Sequence, residues 1–155
     1  MNTGIASLRA EHETILGVVD QLEGVACGFA GGQAPAAYVL AAIEFLRVFV
    51  DQNHHAKEER VLFAAMAADP GLAGMAEALT ADHSEGRALV GEIDAAFRAG
   101  RPIDNLVVAY AAFIREHIRR ENEMVFKAAE NTLDESVLAG FDAKFLEIEN
   151  EAATA

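Results

Sequence analysis

Two stretches of the chain repeat one arrangement of histidine and glutamate. In HHAKEERVLF (54–63) His54 lies four residues before Glu58, and in HIRRENEMVF (117–126) His117 lies four before Glu121; Phe63 and Phe126 close the two at the same distance. Residues four apart on a helix project from one face, so each pair can aim an imidazole nitrogen and a carboxylate oxygen at a common point. Nitrogen and oxygen donors without a thiolate suit iron, manganese or zinc rather than copper(I) or calcium. A second echo sets an acidic residue directly before a histidine in LRAEH (8–12) and in LTADH (79–83). The chain therefore reads as two copies of a helical hairpin. Each copy supplies one histidine, His12 or His83, from its first helix and a His-x-x-x-Glu from its second.

His54 shares its helical stripe with Ile43, Leu46, Val50, Val61 and Leu62, whereas the stripe of His55 runs through Arg47, Asp51 and Glu59. His54 and Glu58 are accordingly expected to face the core. A buried glutamate without a partner is strongly disfavoured or stays protonated. Two glutamates among four histidines relieve that penalty together if cations sit between them. A carboxylate can also bridge two metals, which an imidazole cannot. An idealised pair of six-coordinate ions offers roughly twelve positions; four histidines, two bridging glutamates and a bridging oxide or hydroxide fill roughly ten, leaving about one open position on each metal.

Four long helices and one short one must hold these residues. The 155 residues are 52% hydrophobic, with no tryptophan and only three prolines, which favours helix over sheet or disorder. Breakers fall in GFAGGQAP (28–35), ADPG (68–71) and AGRP (99–102), with Pro35, Pro70 and Pro102 at or near helix starts. Between them the apolar residues recur with helical period: Ile5, Leu8, His12, Ile15, Leu16 and Val19 share one stripe, and Leu106, Tyr110, Phe113, His117, Glu121, Met124 and Val125 another. TLDE (132–135) reads as a capping box opening a terminal helix. The expected fold is all-α: an up-down antiparallel four-helix bundle over residues 1–130, followed by a short C-terminal fifth helix and tail over 131–155.

With HHAKEERVLF, LTADHSEGRALV and YAAFIREHIRRENEMVF in this order, the chain resembles the hemerythrin-like, or HHE cation-binding, domain over about residues 5–130. The resemblance implies a non-haem di-iron centre, two iron ions with an oxo or hydroxo bridge, in an up-down bundle. By position it assigns the ligands His12, His54, Glu58, His83, His117 and Glu121. Oxygen-carrying members of the family have a further histidine one turn after the one in the third helix, and that position is Arg87 here. The six-ligand set is similar to that of the repair-of-iron-centres proteins, associated with nitrosative and oxidative stress, although their cysteine-containing N-terminal segment has no counterpart in this sequence. The expectation is a more open and reactive metal pair than an oxygen carrier holds.

Neighbouring residues admit plainer readings. His55 and Glu59 read as a solvated or outer pair, with His55 as a fifth nitrogen if the helix is turned. Arg87 and Glu85 read as surface or helix-interface residues, Arg87 alternatively pairing with a metal-bound anion or a ligand carboxylate. Tyr110 reads as packing, alternatively as a hydroxyl near the metal. Phe45, Phe49, Phe63, Phe113 and Phe126 read as core that also walls off the centre, and Cys27 as a small buried residue. GFAGG lacks the preceding strand a phosphate loop needs.

A formal net charge of −13 argues against nucleic acid and anionic membranes as partners. No apolar run approaches the ~20 residues that cross a bilayer, and a lone cysteine with no secretory leader fits the cytoplasm. The function expected is a cytoplasmic protein that binds, senses or reduces a small oxidant: dioxygen, nitric oxide or peroxide. The alternative is a module that holds iron or zinc without turnover.

Overall fold

A computed structural model describes residues 2–28 and 34–155. Helix α1 spans Thr3–Gly28. Helix α2 covers residues 36–67 and changes pitch on the way: Ala36–Phe45 is α-helical, Leu46–His55 and Glu58–Leu62 are π-helical, and Phe63–Ala67 returns to α. Helix α3 spans Ala73–Arg98. Helix α4 covers residues 104–132, with a π turn at Glu121–Val125 between Asp104–Arg120 and Phe126–Thr132. Two shorter helices follow, α5 at Glu135–Ala139 and α6 at Phe141–Thr154. No strand occurs among the described residues, and no helix there is long and apolar enough to cross a membrane.

Local chemistry explains the breaks. After α3, Gly100 takes φ 70°, and the Arg101 and Gly100 amides donate to the Ala96 and Phe97 carbonyls at 2.9 and 3.1 Å. This is the paired closure that a left-handed glycine permits at a helix end. Before α3, the Asp69 carboxylate accepts the Gly71 amide at 2.7 Å. The break expected at 28–35 falls largely on residues 29–33, outside the described residues. The expected TLDE cap is corrected: Thr132 is the last residue of α4, Leu133 is extended, and Asp134 takes the cap position of α5. The α4 helix runs on into the threonine because Ala129 stays in the core and the Leu133 amide still bonds its carbonyl.

Helix α1 packs on α4 and α2, α3 packs on α2 and α4, and α6 lies across α1 and the middle of α2. Two apolar clusters result. One contains Ile15, Val19, Val50, Val90, Ile114 and Ile118; the other contains Leu8, Val61, Leu79, Val125, Phe126 and residues of α6. Every long helix thus passes from one cluster to the other, and the histidines and glutamates lie at the crossing. Two expected core positions are corrected. Met124 is 54% exposed because the π turn at Glu121–Val125 carries it off the α-helical stripe. Cys27 is exposed because Ala26 takes the inward position at that turn of α1.

The approach of α6 to α1 depends on a missing side chain. A Cβ on Gly4 would stand 2.8 Å from the Phe141 Cβ, whereas one on Gly17 would meet nothing within 4 Å. Gly4→Ala is expected to lose ~1–3 kcal/mol through overpacking. Gly17→Ala should gain ~0.5–1 kcal/mol from reduced unfolded-state entropy. Equilibrium denaturant titration of the metal-free protein measures both.

Candidate metal centre

His12, His54, Glu58, His83, His117 and Glu121 are each at most 1% exposed, in the layer between the two apolar clusters. Together with His55 they form two groups that share Glu58: His12, His54, Glu58 and Glu121, and His55, Glu58, His83 and His117. Within each group the donor atoms lie within 4.8 Å of one another. Donors on opposite sides of a first-row ion bonded at ~2.2 Å are ~4.4 Å apart, so each group has the size of one cation site.

The position of His55 corrects its reading as a solvated neighbour. It is 5% exposed, and its ring stacks on that of His83 at 3.7 Å. The cause is the π-helical winding of Leu46–His55, in which i→i+5 bonding brings successive side chains closer to one face than α-helical winding does. His54 and His55 therefore both turn inward, one to each group. Glu59 keeps an outer role, with His83 rather than His55 as its partner. Arg87 pairs with Asp51 at 2.7 Å and Glu59 at 2.8 Å, at an interface between α3 and α2.

The inner atoms of the layer face one another. Nε2 of His12, His83 and His117, both oxygens of Glu58 and both oxygens of Glu121 are buried without a hydrogen-bond partner among the described residues. Glu121 sits 3.1 Å from Nε2 of both His12 and His117, and Glu58 sits 3.4 Å from His54 Nε2 and 3.3 Å from His83 Nε2. Each carboxylate thus touches a histidine of either group, one oxygen to each. Buried polar atoms are almost always paired, and an unpaired carboxylate oxygen carries a heavy desolvation cost. Cations between the groups satisfy all of these atoms at once, so the donor set fits a pair of metal ions.

The outward nitrogens are fixed. Nδ1 of His54 donates to Glu11 at 2.7 Å, Nδ1 of His83 to Glu59 at 2.7 Å, Nδ1 of His117 to Asp82 at 3.1 Å, and Nδ1 of His12 to the Asn122 side-chain oxygen at 2.9 Å. A carboxylate can only accept, so the Nδ1 proton of His54, His83 and His117 is set and Nε2 is the nitrogen left pointing inward. These acceptors are themselves held by cations: Glu11 by Lys57, Glu59 by Arg87 and Asp82 by Arg120, while Arg9 donates to the Asn122 carbonyl at 2.8 Å. Phe126 stacks on His12 at 5.3 Å and Phe63 on His83 at 5.5 Å, the dry wall expected of the phenylalanines. Of the outer acceptors, Glu11, Asp82 and Asn122 were given no role by the sequence. Their signal was the acid before each histidine, Glu11 and Asp82, and the residue after each glutamate, Glu59 and Asn122. Tyr110 is buried and lines a cavity of about 290 Å³ that reaches His55 and Arg87.

Burial, and for Glu58 also the charge of Glu121, pushes the two inner carboxyls up, but the surrounding imidazoles prevail and hold both below the ordinary carboxylate range. Burial pushes His83 down, and Glu58 with Glu59 overcomes it, raising the imidazole to about 9; His12 and His117 are raised for the same kind of reason. His55 is lowered to about 4 by burial and by the neighbouring imidazoles, against the pull of Asp51 and Glu58. Without metal, the layer balances its carboxylates with protons on imidazoles.

The chain matches the hemerythrin HHE cation binding domain over residues 3–129. No curated protein matches it at a significant level.

A histidine raised above its unfolded value of 6.5 contributes its full stability below that pH and loses it as pH rises through its folded value, about 9 for His83. The melting temperature of the metal-free protein is therefore expected to fall steadily from pH 6.5 to about 9. The lowered His55 acts in the opposite sense and only below pH 6.5. Metal-loaded protein, with its imidazoles already deprotonated, should stay flat across that window in the same thermal scans.

Proposed function

The chain belongs to the hemerythrin HHE cation-binding family, and from that premise we propose that it is a non-haem di-iron protein whose centre binds, and reduces or senses, a small oxidant such as dioxygen, nitric oxide or peroxide. The observation that carries this reading is the convergence of five imidazoles and two carboxylates from four helices on two cation-sized groups, with Nε2 of His12, His83 and His117 and all four oxygens of Glu58 and Glu121 unpaired among the described residues. His12, His54 and Glu121 would hold one ion, His55, His83 and His117 the other, and Glu58 would span them. Bound iron would supply electron transfer to the oxidant at an open coordination position.

The protein's own residues do the rest. Glu11, Glu59, Asp82 and Asn122 hold each Nδ1–H and keep each Nε2 aimed inward. Phe63 and Phe126 keep water from the ligand rings. The cavity beside His55 offers a route for a small molecule, and the Arg87 guanidinium, tied to Asp51 and Glu59, stands at its edge. In place of the family's second histidine on the third helix, the fifth imidazole comes from the second helix as His55. The reading includes an up-down bundle over residues 1–130 with an appended segment over 131–155, and a cytoplasmic location without nucleic acid or membrane partners.

Protein purified from iron-replete cells is expected to carry about two irons per chain by elemental analysis. Glu58→Ala and His117→Ala should lose iron and melt at lower temperature than the loaded protein. Fully folded, metal-free wild type from such cells, with variants that melt higher because buried charge has been relieved, would remove the di-iron reading. Stopped-flow mixing of the reduced protein with dioxygen, nitric oxide and hydrogen peroxide should change its spectrum with at least one of them. Silence with all three would leave a module that holds metal without turnover.

A further inference from the structure

Helix α6 lies beyond residues 3–129, the span of the family match, yet it reaches the metal centre through a buried lysine. The Lys57 side chain is 0% exposed, although it sits one residue before Glu58 in the middle of α2. Its ammonium donates to two carboxylates, Glu11 of α1 and Glu149 of α6, the latter at 2.6 Å, and lies 5.7 Å from the centre of the Phe145 ring of α6. Glu11 uses its other oxygen to accept His54 Nδ1 at 2.7 Å. A continuous charge-assisted chain thus runs from α6 to a ligand imidazole: Glu149, Lys57, Glu11, His54.

The internal echo supplies a comparison within the same molecule. Arg120 occupies the position of α4 that corresponds to Lys57, and it pairs with Asp82, which accepts His117 Nδ1 at 3.1 Å. That counterpart has no helix over it, and the Arg120 side chain is 35% exposed. Water can solvate the Arg120 charge, whereas the Lys57 ammonium depends on its two carboxylates. If Glu149 is lost, Lys57 has only Glu11, whose two oxygens must then satisfy an uncompensated buried cation as well as His54.

We propose that α6 is a working part of the metal centre: Glu149 fixes Lys57, Lys57 fixes Glu11, and Glu11 orients His54 toward the ion it shares with His12. This rests on the reading of the converging side chains as metal ligands. Lys57 and Glu149 are positioning residues in this account, and their effect falls on one ion of the pair. His83 and His117 in the other half are oriented by Glu59 and Asp82 instead.

The test is titration of cobalt(II) into the metal-free full chain, with a competing chelator to resolve two affinities. Wild type should take two ions. Lys57→Met should weaken one of them by ~10- to 100-fold, the usual effect of removing a group that orients a ligand, and Glu149→Gln should weaken the same one by ~10-fold. The other ion, which shares Glu58 with the first but has no bond to His54, should weaken distinctly less. Glu149→Asp should recover most of the loss. The His54 Nδ1 proton, shifted by the cobalt, should exchange with water faster in both variants and not in Glu149→Asp. If Lys57→Met does not fold, Glu149→Gln carries the test, because that side chain is 47% exposed. Unchanged affinities in Glu149→Gln, or equal weakening of both ions together with a lower melting temperature of the metal-free chain, would overturn the proposal. A wild type that takes up no cobalt would overturn the metal reading beneath it, an outcome visible before any variant is compared.

Discussion

Two carboxylates lie at 0% exposure between two apolar clusters, and their charge must be balanced there. Most features of the fold can be followed from that constraint. Glu58 and Glu121 cannot reach water, and the side chains against them are imidazoles, so imidazolium protons or metal cations compensate them. Five histidines share the layer, and the upward shifts of His12, His83 and His117 describe a site that takes up protons when it lacks metal. The same groups become a ligand set when those protons leave, which couples metal binding, folding and pH in one place.

Around this layer the two hairpins repeat one another. An acid before the histidine of α1 holds the histidine of α2, and an acid before the histidine of α3 holds the histidine of α4. The residue after the glutamate of α2 holds the histidine of α3, and the residue after the glutamate of α4 holds the histidine of α1. Each helix therefore supplies both a donor to the centre and the group that orients a donor on a neighbouring helix. The arrangement ties the four helices in a ring at the one level where hydrophobic packing is interrupted. Asn122 in place of an acid is the one neutral member of this ring, and its neighbour Arg9 bonds its backbone instead of a carboxylate.

The two hairpins differ where other elements intrude. Helix α6 covers Lys57 and leaves its counterpart Arg120 half-exposed. The π turns also differ: α2 has two, one ending at His55 and one starting at Glu58, and α4 has one. The extra winding in α2 brings both His54 and His55 to the centre, so one half of the site gains an imidazole that the repeat has no equivalent for. A cavity opens beside that extra imidazole, whereas the other half is backed by α6.

The amino-acid sequence by itself determined the helices, the breaks at Pro70 and Gly100, the two apolar stripes and the six residues His12, His54, Glu58, His83, His117 and Glu121 that meet at the centre. Their signals are periodic or local, because a four-residue interval on a helix has only one geometric meaning. Glu11 and Asp82 stood in the repeat as acids before a histidine, but the histidine each one serves lies on another helix, and no spacing along the chain encodes that. Only the tertiary structure decided the inward turn of His55, since the sequence stripe assumes α-helical pitch and the π winding changes it. The same holds for Lys57, whose burial results from the docking of α6, and for Met124 and Cys27, which an α-helical or compositional reading places inside. For Lys57 the deciding fact is a contact between residues distant in the chain; for His55 and Met124 it is a local change of helical winding, which the residue types do not announce.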